Sequence, residues 1–369
     1  MERYFLGVAA VLVAATASCS SATDGIRELI EGDFVVAVEV VGEFVNAEVT
    51  TETTAEVAAE PLKFTVMTFN AGTSSGQLHS KDEEEGNGDG YTDEHAAEVD
   101  AHYGNSLSWN PAEAKATEFL AELKPEIVAF QEVFHDPWCE QIEVKPELDL
   151  VCSGYTSERP YQMERLLGDD YQIACNLNAE DRCAGVRKDF GRFVGCPEDE
   201  VCLGGIGGMG VVNCSESARI GSIEIELTDG RVLVLVNAHA NAGMKDSDME
   251  CRKHQFQQIF VDRGDGMPAA FGAANLVMGD LNTDPFLLAG ADPSADELNK
   301  YVGAGKPFHF ISSDSADGPP THVTTMHIDH VISDVIFGSC VVAGESLGVA
   351  PVMESTVFDH RPVICEVEY

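Results

Sequence analysis

The 369-residue chain contains six short segments that carry or end on polar side chains able to bind a metal ion or a phosphate. The segments are FTVMTFN, EIVAFQE, VLVLVNAH, NLVMGDLN, MHIDHVIS and DHRPV. Their polar residues are, in chain order, Asn70, Glu132, His239, Asp280 with Asn282, Asp329, and Asp359 with His360. Such groups are costly to bury without partners, so their recurrence at strand ends predicts one shared polar site.

The ligand types in this set favour a hard divalent cation. Oxygen ligands, rather than cysteine or several histidines, select Mg²⁺, Mn²⁺ or Ca²⁺. Glu132 is the best single candidate for a metal ligand, with Asn70 and Asp359 beside it. A cation there could neutralise the non-bridging oxygens of a phosphodiester while a positioned water attacks in line.

The elements that must position these residues are strands alternating with helices. FTVMTF and VLVLVNAH are rich in β-branched residues, as strands are. A helix is predicted to begin at Asn110 as its cap, with Pro111 in the first position and Glu113 completing a capping box, and to end before Pro125. This pattern predicts a mixed α/β fold in which two β-sheets share a core and are flanked by helices.

Taken together, the motifs resemble the endonuclease/exonuclease/phosphatase superfamily, which includes pancreatic deoxyribonuclease, exonuclease III, neutral sphingomyelinases and inositol-polyphosphate phosphatases. GDLN or QE alone would be weak evidence, whereas all the blocks in family order, ending in DHRPV near the C-terminus, are specific. The resemblance covers about Leu62 to Tyr369. It implies a four-layer α-β-β-α sandwich of two mixed β-sheets and a phosphodiesterase that depends on Mg²⁺, Mn²⁺ or Ca²⁺.

The resemblance also implies a role for each catalytic candidate. Asp280 would orient or deprotonate the attacking water, and Asn282 would hold a phosphate oxygen. Asp329 would pair with His360 and fix its tautomer, so that the other ring nitrogen faces the phosphate. His239 would be a second phosphate contact or the proton donor to the leaving group, its alternative being a purely structural histidine.

Other nearby residues are expected to support the site. Arg252 and Gln255, about one helical turn apart, are predicted to brace it, and His327 and His330 are predicted to be structural neighbours. Gly72 stands where some family members carry an additional acid. No carboxylate that would orient the histidine of VLVLVNAH can be identified from the sequence.

The formal net charge of −41 weakens the case for a polyanionic substrate. It does not exclude one, because salt screens long-range repulsion within about 8 Å at physiological ionic strength. The sequence holds one compact basic cluster, formed by Arg182, Arg187, Lys188 and Arg192. The cluster is interpreted as a solvated loop, with a phosphate-steering patch as the alternative.

The N-terminus is interpreted as a targeting segment. Residues 1–19 have the pattern of a signal peptide, with an apolar run from Tyr4 to Ala17 that is short for a membrane span. Thr16-Ala17-Ser18-Cys19 resembles a bacterial lipoprotein processing box, so a lipid anchor at Cys19 is predicted, with simple cleavage as the alternative. Residues 20–61 are predicted to be a linker and residues 62–369 the folded domain.

Ten cysteines follow Cys19, and an even number in an exported chain without paired CxxC motifs predicts disulfides. Two insertions are predicted. Residues 139–205 contain six of these cysteines and are expected to form a disulfide-stapled, loop-rich excursion. Residues 76–108 are acidic, and Asn87, Asp89, Gly90 and Asp93 approximate part of a calcium loop, which raises a structural Ca²⁺ as a hypothesis beside a solvated loop.

The sequence therefore predicts an exported, metal-dependent phosphodiesterase that is secreted or held at the cell envelope. A deoxyribonuclease I-like endonuclease acting as a monomer on DNA is the leading interpretation. A sphingomyelinase-like lipid phosphodiesterase is the first alternative. A catalytically silent binding module with the same fold is the second, and the intact set of polar motif residues argues against it.

Overall fold

The computed structural model describes residues 61–73, 90–211, 214, 219–353 and 357–369. Two mixed β-sheets lie face to face, and helices cover their outer faces. This arrangement confirms the predicted four-layer sandwich. The predicted signal peptide with Cys19, nearly all of the predicted linker, and most of the calcium-loop hypothesis lie outside the described residues, so those predictions stay untested.

The described residues form fourteen strands. In chain order they are β1 (Lys63–Asn70), β2 (Ile127–Gln131), β3 (Tyr171–Asn176), β4 (Ala179–Arg187), β5 (Gly191–Phe193), β6 (Cys202–Leu203), β7 (Gly207–Gly208), β8 (Ile220–Leu227), β9 (Val232–His239), β10 (Asn275–Asp280), β11 (His309–Phe310), β12 (Asp329–Ser333), β13 (Phe337–Val342) and β14 (Val363–Glu368). The first sheet has the order β13-β14-β1-β2-β4-β3-β6. The second has the order β11-β12-β10-β9-β8-β5, and β7 pairs with β8.

Helices pack against both sheets. They are α1 (Asp93–His102), α2 (Asn110–Leu123), α3 (Gln162–Leu167), α4 (Asp246–Phe260) and α5 (Pro293–Leu298), with short 3₁₀ segments at Asp136–Glu140, Pro146–Leu148 and Val151–Gly154. The first three α-helices share an apolar cluster with the first sheet. The last two contribute to a separate cluster on the second sheet.

Central strands are buried on both faces because the sandwich has four layers. Val66 of β1 points into the core between the sheets, whereas the next residue, Met67, points into the cluster under the helices. Both side chains are fully buried. Successive side chains of a strand point to opposite faces, so a strand covered on both sides reads as a continuous apolar run.

The predicted end of α2 before Pro125 is confirmed, but the helix begins at Asn110, one residue earlier than predicted, and the predicted capping box is wrong. Trp109 is the N-cap residue and makes no side-chain cap. The Asn110 side chain instead donates to Asp149 Oδ1 over 2.9 Å, and Glu113 accepts two 2.7 Å hydrogen bonds from Arg165. The Asn110 and Glu113 side chains therefore bind residues outside the helix instead of capping its N-terminus.

The ten cysteines that follow Cys19 form disulfides, as predicted. The five disulfides are Cys139–Cys152, Cys175–Cys183, Cys196–Cys202, Cys214–Cys251 and Cys340–Cys365. Three of them lie within the predicted disulfide-rich insertion. The expectation that this whole region is loop-rich is wrong, however, because residues 171–187 supply β3 and β4 of the first sheet. Five disulfides are consistent with an oxidising compartment.

Two parallel strand pairs set up the site. β1 runs parallel to β2, and β9 runs parallel to β10. The carboxyl ends of parallel neighbours emerge at the same edge of a sheet. Asn70 is paired with Gln131 there, and Asp280 is paired with His239 on one side and Asp329 on the other.

Candidate active site

Asn70 connects the two sheets at the edge where the motifs end. Its side-chain nitrogen donates to Glu132 Oε1 over 2.9 Å and to Asp280 Oδ2 over 3.2 Å. Its oxygen accepts from the Gly72 backbone N–H at 3.1 Å. A Cβ at Gly72 would collide with the Glu132 carboxylate, which explains why an acid cannot replace this glycine without displacing Glu132.

Glu132 follows β2 directly and turns its backbone sharply, with φ at +60°. Burial and the neighbouring Asp359 carboxylate raise the pKa of Glu132 from 4.5 to about 8. Burial, with a contribution from Asp329, also raises the pKa of Asp280 from 3.8 to about 7. Several carboxylates thus lie in one desolvated cluster that lacks sufficient positive charge.

A divalent cation fits this cluster for that reason. The donors are oxygens of carboxylates and an amide, as a hard cation prefers. In addition, the buried Asp329 Oδ1 has no hydrogen-bond partner among the described residues. Glu132 and Asp359 stay the predicted ligands. In the described parts of the chain, the side chains whose ligand atoms lie close enough together to share one ion are His322, Asp359 and His360, or Asp280, Asp329 and His360. Asn70 would join Glu132 and Asp359 only through the remaining lone pair of its oxygen.

Asp329 and His360 form a close polar pair in the site. His360 Nδ1 lies 2.8 Å from Asp329 Oδ2, and its Nε2 lies 3.8 Å from Asp280 Oδ2. Burial opposes the positive charge of His360, but Asp329 and Asp280 outweigh it and raise the histidine pKa well above 6.5. The ring is therefore held by one nitrogen, with the other turned towards Asp280.

Asn282 is fixed beside the same carboxylate. Its backbone N–H donates to Asp280 Oδ1 and its side chain donates to Asp280 Oδ2, both over 2.8 Å. The side chain also donates to the Ala240 carbonyl over 3.1 Å. Its left-handed backbone, with φ at +50°, lets the chain turn back within two residues of the strand end.

His239 completes the cluster from β9. Its Nε2 lies 3.4 Å from Glu132 Oε1 and 3.6 Å from Asp280 Oδ2. Its buried Nδ1 has no hydrogen-bond partner within the described parts of the chain, so no carboxylate orients the ring from that side. Burial and the nearby guanidiniums of Arg182 and Arg219 lower the pKa of His239 well below 6.5, which favours the neutral ring.

Asp359 lies at the edge of the cluster next to His322, a residue that the sequence analysis missed. His322 Nε2 is 3.9 Å from Asp359 Oδ2, and the His322 and His360 rings lie 4.6 Å apart. These three side chains could together contact one metal ion. His322 lies seven residues before Asp329, outside the MHIDHVIS motif, and a lone histidine in a loop carries no pattern that would single it out.

The predicted basic cluster does not exist as one patch. Arg182 is buried, with 5% of its side chain exposed, whereas 61% of the Arg192 side chain is exposed. The interpretation of the cluster as a solvated loop is therefore wrong for Arg182. The strand pattern of AEDRCAGVR could have placed Arg182 on an inward face, had this stretch been recognised as a strand.

The residues expected to brace the site do contact its loops. Arg252 is fully buried, forms a 2.9 Å ion pair with Asp292, and donates to the Asn241 carbonyl over 3.0 Å. Gln255 accepts from the Asn241 backbone N–H over 2.8 Å. Together they fix the turn that follows His239.

His330 and His327 contact backbone carbonyls outside the cluster, as expected for structural residues. His330 Nε2 lies 3.4 Å from the Thr283 carbonyl, and His327 Nδ1 lies 2.9 Å from the Pro319 carbonyl. Their described contacts are with the framework around the cluster rather than with its carboxylates.

The structure thus brings seven of the eight predicted site residues together through direct polar contacts or ion-pair distances and places the eighth, Asp359, beside them. None of the eight lies in another part of the fold. No helix within the described residues is long and apolar enough to span a membrane.

Comparison with known proteins gives structural but no sequence-level matches. No protein-family model and no curated protein sequence matches the chain. Among solved structures, it is similar to an endonuclease/exonuclease/phosphatase from Beutenbergia cavernae, with 16% identity and a TM-score of 0.48 over 83% of this chain and 71% of the other. The human Nocturnin catalytic domain with bound sulfate matches at 13% identity and a TM-score of 0.44, over 83% and 94% of the two chains.

The Xenopus laevis APE2 catalytic domain matches at 13% identity and a TM-score of 0.43, over 82% of this chain and 92% of the other. At such identities the likeness concerns the fold alone. The chain's own two-sheet topology, with the motif residues gathered at one edge, agrees with the fold expected from the endonuclease/exonuclease/phosphatase resemblance.

Proposed function

We propose that the protein is a divalent-metal-dependent hydrolase of phosphodiester bonds, with deoxyribonuclease I-like endonuclease activity as the leading assignment. The observation that carries this proposal is the convergence of Glu132, Asp280 and His360 in one buried cluster, from distant parts of the chain. Such a cluster costs stability unless it serves a charged ligand.

In the proposed mechanism Glu132 and Asp359 would hold a divalent metal, which would supply neutralisation of the negative charge on the phosphate. Asp280 orients the attacking water and accepts its proton, and a pKa of about 7 suits a base at neutral pH. Asn282 would donate to a phosphate oxygen in place of one of its two present acceptors, Asp280 Oδ2 and the Ala240 carbonyl. Asp329 holds His360 so that Nε2 faces the cluster, where the charged imidazole stabilises the developing negative charge.

His239 is proposed to contact the phosphate from the opposite side. Its low pKa favours a neutral ring, so it would donate a hydrogen bond rather than carry a charge. This property supports a phosphate contact more than the proton donor to the leaving group.

The decisive experiment compares substrates and metals with one protein preparation. Plasmid DNA, RNA, sphingomyelin vesicles and inositol phosphates are offered with Mg²⁺, Mn²⁺ or Ca²⁺. Nicking of plasmid that is lost in chelator and in His360→Ala supports the nuclease assignment. His309→Ala, which changes a histidine away from the cluster, is the matched control and is expected to retain activity.

Other outcomes of this experiment select the alternatives. Turnover of sphingomyelin alone would favour the sphingomyelinase-like assignment. No turnover of any substrate with any metal would favour a silent binding module and contradict the proposal.

We also propose that the protein is exported and acts as a monomer. The five disulfides support export, because such bonds persist in oxidising compartments. Anchoring through a lipid on Cys19 remains part of the proposal. Metabolic labelling with a fatty acid, compared between wild type and Cys19→Ala, tests the anchor, and light scattering of the purified protein tests the monomer.

A further inference from the structure

Arg182 and Arg219 lie at the mouth of the space between the two sheets. In the β2–β4 pair Phe130 lies opposite Cys183, so the next residue, Gln131, lies opposite Arg182. In the β8–β9 pair the His239 backbone N–H donates to the Arg219 carbonyl over 2.9 Å, so these two residues face each other. Residues opposite each other in an antiparallel pair project from the same face of the sheet.

That face is the inner one in both sheets. Gln131 reaches across and donates to Asn237 Oδ1 over 2.8 Å. Asn237 and His239 share a face of β9, because they are two residues apart on one strand. Arg182 therefore projects from the first sheet towards the end of β9, where His239 and Arg219 project from the second.

Four nitrogen atoms of these residues are buried without a hydrogen-bond partner among the described residues. They are Arg182 Nε, Arg182 Nη1, Arg219 Nε and His239 Nδ1. The only ion pair formed by Arg182 in the described structure is with its neighbour Asp181, at 3.5 Å. A guanidinium that is buried without hydrogen bonds is strongly destabilising, and an anion that accepted them would remove that penalty.

We propose that Arg182 and Arg219 form an anion subsite beside His239 that accepts a phosphate group of the substrate. The subsite favours a phosphate-rich chain such as a nucleic-acid strand, and it disfavours a lipid headgroup that carries a quaternary ammonium. This inference rests on the proposed function, because it extends the same site, and it chooses between the two leading substrate classes.

The surrounding charges agree with such a subsite. Burial lowers the pKa of Arg182. The Asp181 carboxylate raises this pKa, whereas the Arg219 guanidinium lowers it. Glu132 is the cluster carboxylate that raises the pKa of this guanidinium. The subsite thus adjoins the catalytic cluster but carries the opposite charge.

The first test uses inorganic phosphate as the probe, with the full chain in chelator and in the His360→Ala background, so that no turnover is required. Phosphate is expected to raise the Tm of this protein, and Arg182→Met is expected to abolish that rise. In phosphate-free buffer Arg182→Met is expected to be at least as stable as its parent, because it removes a buried charge whose one ion pair in the described structure, with Asp181, is 3.5 Å long. Arg192→Met, which changes an exposed arginine, is the control and should keep the phosphate effect.

A purely structural role for Arg182 predicts the opposite changes in Tm. If Arg182→Met lowered the Tm in phosphate-free buffer and left the phosphate effect intact, the subsite would be refuted. Arg182→Lys supplies the second variant, since it retains the charge but not the planar fork, and it should keep part of the phosphate effect. If both variants kept the full rise in Tm that phosphate causes, the subsite would also be refuted.

The second test separates substrates. Arg182→Met is expected to raise KM about tenfold or more for a dinucleotide that carries an additional terminal phosphate, and to leave KM for bis(p-nitrophenyl) phosphate unchanged. An equal effect on both substrates, or preferential loss of sphingomyelin turnover, would overturn the inference. If no substrate is turned over, the proposed function fails, while the phosphate-binding test still decides the subsite.

Discussion

Glu132 is subject to two opposing demands. A metal ligand must be ionised, yet burial and Asp359 raise the pKa of Glu132 from 4.5 to about 8. A raised pKa in the folded state means that protonation stabilises the fold. That contribution is complete below the unfolded pKa of 4.5 and is lost as the pH rises through about 8.

We therefore expect the metal-free protein to lose thermal stability progressively between about pH 5 and pH 9. Glu132→Gln removes the titrating group, so its Tm in chelator should fall less over this range and exceed that of wild type at the alkaline end. The same variant should lose the stabilisation that Mn²⁺ gives. Calorimetry in chelator and in Mn²⁺ measures both effects.

Glu118→Gln, which changes an exposed helix residue, is the control for this experiment and should behave as wild type. If the Tm of Glu132→Gln fell with pH as steeply as that of wild type, the buried carboxylate would not be the source of the dependence.

Asp329 is expected to act on the reaction through His360. Its 2.8 Å contact helps to raise the pKa of His360, so Asp329→Asn should lower that pKa. The rate should fall about 10- to 100-fold, as for other carboxylates that orient a catalytic histidine. The alkaline limb of the pH–rate profile should also move to lower pH, because the protonated imidazole is lost earlier.

Titration of the His360 ring by NMR in the metal-free protein measures the first effect, and steady-state kinetics measures the other two. Asp314→Asn, in an exposed loop, is the control. An unchanged pH profile with a reduced rate would indicate that Asp329 contributes only to the fold.

The site could be predicted from sequence to the extent that its residues lie at the ends of recognisable strands. Asn70, Glu132 and Asp280 each terminate a β-branched or apolar run, and parallel pairing brings such ends together. Arg182 and His322 could not be identified in this way. Arg182 lies in a strand whose polar residues and cysteine obscure the alternation of apolar and polar side chains that is typical of strands. His322 lies in a loop.

At the level of secondary structure, the ion pair between α4 and the start of α5 determines the position of the loop after His239. Arg252 and Asp292 are both fully buried and lie 2.9 Å apart. Arg252→Met would leave the Asp292 charge buried without this partner, at a cost of about 3–5 kcal/mol in the free energy of unfolding. Activity should fall as well, because Arg252 also holds the carbonyls of Asn241 and Gly243.

Urea unfolding measures the stability effect, and Lys253→Met on the next, partly exposed position provides the control. A loss of activity without a loss of stability would argue that Arg252 contacts the substrate instead of bracing the loop.

Helices and strands could be predicted where one local sequence signal, such as a proline, determined where they end. α2 ends at Leu123, before Pro125, as predicted, because proline restricts the residue that precedes it. The cap of the same helix was mispredicted because Asp149, a residue distant in sequence, binds the Asn110 side chain. Likewise, the cysteine spacing predicts a loop-rich excursion that includes residues 171–187, whereas these residues form β3 and β4. The Cys175–Cys183 disulfide joins these two neighbouring strands of the sheet.

At the scale of the whole molecule, local and global charge act in opposite directions. The net charge of −41 repels a polyanionic substrate at long range, whereas Arg182 and Arg219 would attract its phosphate within the site. Salt affects these two interactions differently. The screening length falls from about 30 Å at 0.01 M to about 10 Å at 0.1 M, which weakens the long-range repulsion first.

We therefore expect the rate of DNA cleavage at low substrate concentration to rise when salt increases from about 10 to about 100 mM, and to fall only at higher salt. A small diester such as bis(p-nitrophenyl) phosphate, with a single negative charge, should show little of the initial rise. Measuring kcat/KM for both substrates over one salt series separates repulsion from general salt effects on the enzyme. A monotonic decrease for DNA from the lowest salt would show that contacts with phosphate, not the overall negative field, control the approach of the substrate.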